Sequence, residues 1–319
     1  RPHLRVSRSH FRDLFGFGAV SVTGALLDFS TRRVFLMLVG SFLGAAATGY
    51  LNLAFRSVDM LRDLLAGAAN QFALPLFSRS QGDPLRLRRT YSEAVAFTCV
   101  VAYPVFAGLA VCAREVVDIA FGPQWAGSVP FVAFMAILTL GFFPRLYAWP
   151  VVSAMGRPGL KIAALVASLG LLIGGMATIG RWSLEAAVAV WAVAVLGVMP
   201  LEVWILDRAA RIGPLSQFAG VPKPLFAAVV MASATYAAKL WVFAGLATGW
   251  RLAASVATGA ILYAAMIVLL DRDIVRRLWE FAGFAWRRTP IETTGEPPGG
   301  KGLAVERGAP PARPSGLAD

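Results

Sequence analysis

Four stretches of this chain, residues 94–113, 119–144, 162–180 and 252–270, run for 19 to 26 residues without a single charged side chain. A helix needs roughly 20 predominantly apolar residues to cross the hydrocarbon core of a bilayer. The rest of the composition agrees. Of 319 residues 57% are apolar and only 15% are charged, against about 25% charged in an ordinary soluble domain, and the mean hydropathy is +0.65. So much apolar surface has no place in a water-soluble core of this size. The expected fold class is all-α: a polytopic transmembrane helical bundle.

Apolar runs and their polar punctuation place about eight spans, near residues 14–43, 50–78, 92–113, 127–153, 160–180, 183–206, 224–246 and 252–270. Turn signals separate several of them: Gly82-Asp83-Pro84, Gly122-Pro123, Gly156-Arg157-Pro158-Gly159, Gly213-Pro214 and Gly249. Of the 30 Lys and Arg, twenty-one fall in segments sharing one side of the membrane with the amino terminus, and only Arg114, Arg181 and Arg251 fall on the other. By the positive-inside rule both termini are expected in the cytoplasm, with the chain in the cell inner membrane. The net charge of +12, which in a soluble protein points to nucleic acid, is accounted for by this asymmetry, and no nucleic-acid partner is expected. Trp125, Trp149, Trp182, Trp204, Trp241 and Trp250 fall near span ends, at headgroup level.

The expected organisation is a basic tail over 1–13, a six-helix transmembrane lobe over 14–206, two additional transmembrane helices over 224–270, an amphipathic helix over 273–288 and a disordered cytoplasmic tail over 289–319. In the amphipathic segment Ile274, Leu278, Phe281 and Phe284 share one side, leaving Arg276, Arg277, Arg287 and Arg288 for anionic membrane lipids, or for a helix packed on the bundle. The last segment holds six Pro and six Gly, too few large apolar groups to fold. The chain starts at Arg1 rather than Met and shows no signal-peptide pattern; it reads as part of a longer polypeptide.

Ionisable groups at membrane depth are the informative residues, because each costs on the order of 3 kcal/mol at the bilayer centre and must be paired or face water. The first two spans hold nearly all of them. With a turn near residue 47, Arg32 and Arg33 are expected level with Arg62 and Asp63 across an antiparallel hairpin. Asp28 and Arg32 are four apart, and Asp59 and Arg62 three apart, so each pair can meet on one helix face. Self-neutralising ion pairs that glue two helices are one reading of Asp28, Asp59, Asp63 and their basic neighbours. The other starts from the count: Arg32, Arg33, Arg56 and Arg62 outnumber the three Asp. A surplus guanidinium in a wet passage is a handle for phosphate oxygens, and spacing does not say which Arg is the spare one.

Elsewhere the blander readings prevail. Arg145 and Lys239 are expected to snorkel to the interface. Asn52, Asn70, Gln71 and Gln124 are expected to bond neighbouring helices rather than sugar hydroxyls. Cys99 and Cys112 lie thirteen positions apart on one expected helix, about 20 Å, too far for a disulfide. With His3 and His10 both in the tail, no metal site and no cofactor are expected.

Four segments resemble a known family in order and spacing: LVGSFLGAAATGYLNLAFRSVDML (Leu38–Leu61), ALPLFSRSQGDPLRLRRTYSEAV (Ala73–Val95), FGPQWAGSVP (Phe121–Pro130) and SAMGRPGLK (Ser153–Lys161). They are similar to the polysaccharide and O-antigen flippases of the multidrug/oligosaccharidyl-lipid/polysaccharide exporter superfamily, over roughly residues 10–270. The resemblance implies two six-helix lobes, of which this chain looks like the second plus two further helices, the amino-terminal lobe being a missing partner. It implies translocation of a polyprenyl-diphosphate-linked oligosaccharide by alternating access, through a cationic cavity to which Arg32, Arg33, Arg56 and Arg62 contribute, with the last two helices flanking the lipid tail.

Such a role makes no bond and implies no enzyme. A peptidoglycan-precursor flippase and a drug exporter of the same superfamily are alternatives, although an exporter coupled to cations favours a carboxylate without an Arg surplus. A membrane-embedded polymerase or glycosyltransferase needs positioned acids or bases on a sizeable interfacial loop; the longest outer loop, about 114–126, offers only Glu115 and Asp118, which read more simply as solvated loop residues.

Overall fold

The computed structural model describes residues 8–78, 83–157, 159–272 and 276. Residues 1–7 of the expected tail, the expected disordered tail and all of the amphipathic segment except Arg276 lie outside the described residues, as does the side chain of Gln71. The described residues are mostly helical and include no strand, with seven segments long and apolar enough to cross a membrane, and the chain is a multi-pass membrane protein.

The first helix, α1 (Arg8–Ser78), holds the resolution between seven segments and eight expected crossings. Its apolar part, Gly18–Asn70, is 53 residues long, about 80 Å at 1.5 Å per residue, far more than the roughly 30 Å of one hydrocarbon core. It folds back on itself at Gly44, whose φ of 87° lies in the left-handed region that a side chain disfavours. The two legs return antiparallel: Phe35 meets the edge of Phe55 at 6.1 Å, and Arg32 forms an ion pair with Asp59. The turn therefore falls three residues earlier than expected, and Arg32 is level with Asp59 rather than with Arg62 and Asp63.

Helix α2 (Pro84–Val111) is the central post, packed against α1, α4 and α10. Asp83 caps it, accepting from the backbone N–H of Leu85 at 2.9 Å and Arg86 at 3.1 Å, with Pro84 in the first turn where its missing N–H is harmless. Pro104 inside α2 removes the N–H that would have bonded the Val100 carbonyl. That carbonyl is answered from another helix, by the Tyr263 hydroxyl at 2.8 Å.

The expected outer loop after α2 is mostly helical: α3 (Ala113–Ala120) and a short 3-10 stretch (Pro123–Ser128) precede α4 (Val129–Leu140). Here Trp125 and Gly127 dock on the α1 turn. A Cβ on Gly127 would come within 2.8 Å of the Tyr50 ring, so a larger residue there would have to displace that ring. Glu115, expected in solvent, is buried in α3.

Two expected spans are interrupted. The fourth breaks across 141–147, between α4 and α5 (Ala148–Ala154); the sixth breaks at Gly197 and Val198, between α7 (Leu184–Leu196) and α8 (Met199–Ala210). Between them α6 (Leu160–Gly175) ends in a π turn, Met176–Gly180. A four-residue turn, α9 (Pro214–Gln217), leads to α10 (Pro222–Trp241) and α11 (Thr248–Leu270), which pack on each other and on α2. Large apolar side chains such as Met60, Leu64, Ile261 and Leu269 are mostly exposed, as a lipid-facing surface requires and a water-facing one would not tolerate. Trp182, Trp241 and Trp250, near span ends, are also exposed.

Candidate functional site

The two legs of α1, the interrupted stretch from Phe142 to Ser153, and α6, α7 and α8 enclose a cleft of ≈ 1040 Å³. Its charged lining consists of Arg32, Arg33, Arg62, Arg145 and Lys161 against Asp28, Asp59 and Glu202, a surplus of positive charge inside a membrane protein.

Most of these charges are paired. Asp59, more buried than Asp28 and Asp63, ion-pairs with Arg32 across the hairpin and with Arg62 one turn along its own leg at 2.9 Å. Arg62 also reaches Asp63 at 2.9 Å, and its guanidinium lies 5.4 Å from the centre of the Phe142 ring. Asp63 itself is exposed and outside the lining. The Asp59–Arg62 pair is thus as expected, whereas Asp28 and Arg32 do not meet. Because Asp59 takes Arg32, Asp28 accepts instead from Lys161 Nζ at 3.0 Å, joining α1 to the start of α6.

Arg145, expected to snorkel, is turned into the cleft. It ion-pairs with Glu202 of α8 and donates to the carbonyl of Gly141 at 3.2 Å, with a longer contact to that of Val195 at 3.4 Å. Those carbonyls belong to the two interrupted helices, whose last turns lack intrahelical partners, and a cation is electrostatically favoured at a helix C-terminus. Ser168 of α6 donates to the neighbouring Ala194 carbonyl at 3.0 Å. One guanidinium therefore spans both breaks and closes one wall of the cleft.

Arg33 differs from the others. Among the described residues no carboxylate lies within ion-pair distance of it; its guanidinium sits over the Phe29 ring, 5.0 Å from the centre, and it lines the cleft. Arg56, the remaining candidate, is exposed as Arg33 is, but it does not line the cleft. Aromatic faces complete the lining: Trp191 packs on Phe35 and Phe55 at 4.9 and 5.0 Å, and Trp149 and Phe142 stand nearby.

Glu202 and Lys161 were not legible as cleft residues from sequence. The available signal was weak: Arg145 and Glu202 are opposite charges late in two spans that end on the same side of the membrane. Among the expected amide contacts, Asn70 lines the cleft and Gln124 bonds the Phe121 carbonyl at 2.8 Å.

A multi-pass helical membrane protein with a basic internal cleft is the class that fold and site define. Comparison with known proteins carries this further. The family described as "Polysaccharide biosynthesis protein" matches residues 1–130. The chain is 24% identical over 262 residues to the teichuronic acid biosynthesis protein TuaB of Bacillus subtilis, covering 81% of this chain and 54% of that protein. It is 23% identical over 284 residues to the succinoglycan biosynthesis transport protein ExoT of Rhizobium meliloti, covering 84% and 54%. With the lipopolysaccharide biosynthesis protein WzxC of Escherichia coli it shares 22% identity over 140 residues, 44% of this chain and 28% of that protein. No solved structure matches it significantly. The chain spans about half the length or less of these curated relatives. Together they support the resemblance to polysaccharide flippases, and ExoT is named as a transport protein.

Proposed function

We propose that this chain is the carboxy-terminal lobe, with two flanking helices, of a flippase that moves a polyprenyl-diphosphate-linked oligosaccharide across the cytoplasmic membrane for surface polysaccharide synthesis. In this reading α1–α8 make the lobe, α10 and α11 stand beside it, both chain ends face the cytoplasm, and an amino-terminal lobe closes the cleft from the opposite side. The single observation that carries the reading is Arg33, a cation lining the cleft with no carboxylate partner among the described residues. Arg33 is exposed at the cleft; an unpaired guanidinium there favours an anionic ligand, and its planar fork fits phosphate oxygens.

The other basic residues would hold the cleft's shape and supply field, their charge largely used by Asp59, Asp28 and Glu202. Trp149 and Trp191 offer flat apolar faces against which sugar rings can stack. Substrate that binds the inward-open and outward-open arrangements unequally would shift the population between them, which is all that alternating access requires.

The test is Arg33→Ala in the protein that carries this chain. Surface polysaccharide is expected to fall at least tenfold while membrane insertion and expression stay normal; unchanged polysaccharide would remove Arg33 from the transport path.

A further inference from the structure

Away from the cleft, α2, the start of α10 and the residue after α11 enclose a second cavity, of ≈ 270 Å³. That is far more than the roughly 10–15 Å³ a single water needs, so the space admits a group of several heavy atoms. Its charged lining is Glu93 of α2, Lys223 of α10 and Asp271. Lys223 donates through Nζ to Asp271 Oδ2 at 2.8 Å, and Glu93 accepts from Arg89 Nε at 3.1 Å. An ammonium has three donors and an ionised carboxylate about four acceptor positions, so these pairs do not exhaust either kind of group. One wall is the turn before α10. A Cβ on Gly220 would come 2.6 Å from the Ala96 Cβ and 2.7 Å from the Ala96 backbone, so this turn lies flush on α2 and brings Lys223 into the same cavity as Glu93.

Depth and charge together restrict what can sit here. α10 and α11 are 20 and 23 residues long, one hydrocarbon core each, so Lys223 near the start of one and Asp271 just past the end of the other stand at headgroup level. A turn deeper the lining is apolar, with Ile267 and Val100, and Phe226 and Leu269 expose apolar surface within a turn of the charged residues. A purely anionic headgroup would face two carboxylates, and a purely cationic one would face Lys223. A group carrying both a phosphate and a primary ammonium meets all three charges with the right sign. The lining holds no aromatic side chain, the feature that selects quaternary ammonium groups; carboxylates instead select N–H donors. We propose that this cavity binds the phosphoethanolamine headgroup of a membrane phospholipid, with its phosphate on Lys223, its ammonium on the carboxylates of Glu93 and Asp271, and its acyl chains leaving over α10 and α11. The site shares no lining residue with the cleft and stands whatever the cleft carries.

Native mass spectrometry of the full-length protein, with phosphatidylethanolamine, phosphatidylcholine or phosphatidylglycerol added in turn, tests the site. The parent is set against Lys223→Gln, Glu93→Gln, Ala219→Trp, which fills the cavity from an exposed position, and Arg56→Ala, which lies outside its lining. The parent is expected to retain phosphatidylethanolamine at least fivefold better than either other lipid, and Arg56→Ala to behave alike. Lys223→Gln should weaken that retention several-fold and Ala219→Trp at least tenfold, while Glu93→Gln should cut the preference over phosphatidylcholine to below twofold. Equal retention of the three lipids by the parent overturns the proposal, as does a preference that survives Ala219→Trp or survives both charge substitutions. Melting temperatures taken without lipid identify any variant that does not fold. Ala219→Trp, built at the surface, then decides alone: lost retention supports the site, and unchanged retention overturns it.

Discussion

The α1 hairpin and the α10–α11 pair both bring charge into a membrane-spanning bundle, and they manage it in opposite ways. Where α3 meets α10, the buried Glu115 carboxylate of α3 meets one ammonium, that of Lys239, whose side chain is 13% exposed. In the hairpin, Asp59 is shared between Arg32 and Arg62, Asp28 is diverted to Lys161, and Arg33 is left to an aromatic face beside open space. A one-to-one buried pair fastens helices, whereas an unbalanced set beside a cavity leaves charge available to a ligand. The cost of desolvation is also higher at the junction, where Glu115 is 1% exposed, than in the hairpin, where Arg32 and Arg62 are 35% and 32% exposed.

The largest effect expected from breaking this contrast is at Asp59. Asp59→Asn leaves Arg32 without its carboxylate and Arg62 with Asp63 alone, and loss of one partner of a buried pair destabilises by about 3–5 kcal/mol; thermal unfolding in detergent should show a drop large enough to reduce the yield of folded protein. Glu202→Gln should follow, on the order of 3 kcal/mol, because Arg145 then bridges the two helix breaks with no counter-charge. Gly44→Ala is next. Nothing lies within 4 Å of the added Cβ, so the expected loss of about 1–2 kcal/mol is that of the left-handed backbone alone, again read as a shift in melting temperature. Tyr263→Phe leaves the Val100 carbonyl without its donor and should cost about 1 kcal/mol. Arg56→Ala, on the exposed face outside the cleft, should leave both stability and transport unchanged; a transport defect there would mean that the relevant positive charge lies outside the cleft.

The spans were legible because a bilayer imposes a length, and uncharged runs of that length leave little else for residues 94–113 or 252–270 to be. The breaks at 141–147 and at Gly197 were not, since apolar composition continues through them and only Gly141, Pro144, Gly197 and Pro200 hint at an interruption. The hairpin was foreseen but its register was not. Gly40, Gly44 and Gly49 around a run of alanines offer several places to turn, and a shift of three residues exchanged the partners of Arg32. Asp28 met Lys161 across 133 positions, a contact that helix spacing cannot reveal. Glu115 was misjudged because a carboxylate between spans is ordinarily solvated; its burial follows from Lys239, which lies 124 positions away.

The central claim is that Arg33 is free to take phosphate while its neighbours are neutralised. Binding of a radiolabelled isoprenyl diphosphate to the purified protein, with inorganic diphosphate as competitor, tests it most directly when Arg33→Ala is set against Arg56→Ala. Loss of a charge-assisted contact of roughly 1.5–3 kcal/mol predicts binding weakened about tenfold or more in Arg33→Ala and unchanged in Arg56→Ala. Equal affinities in the two variants would contradict the account.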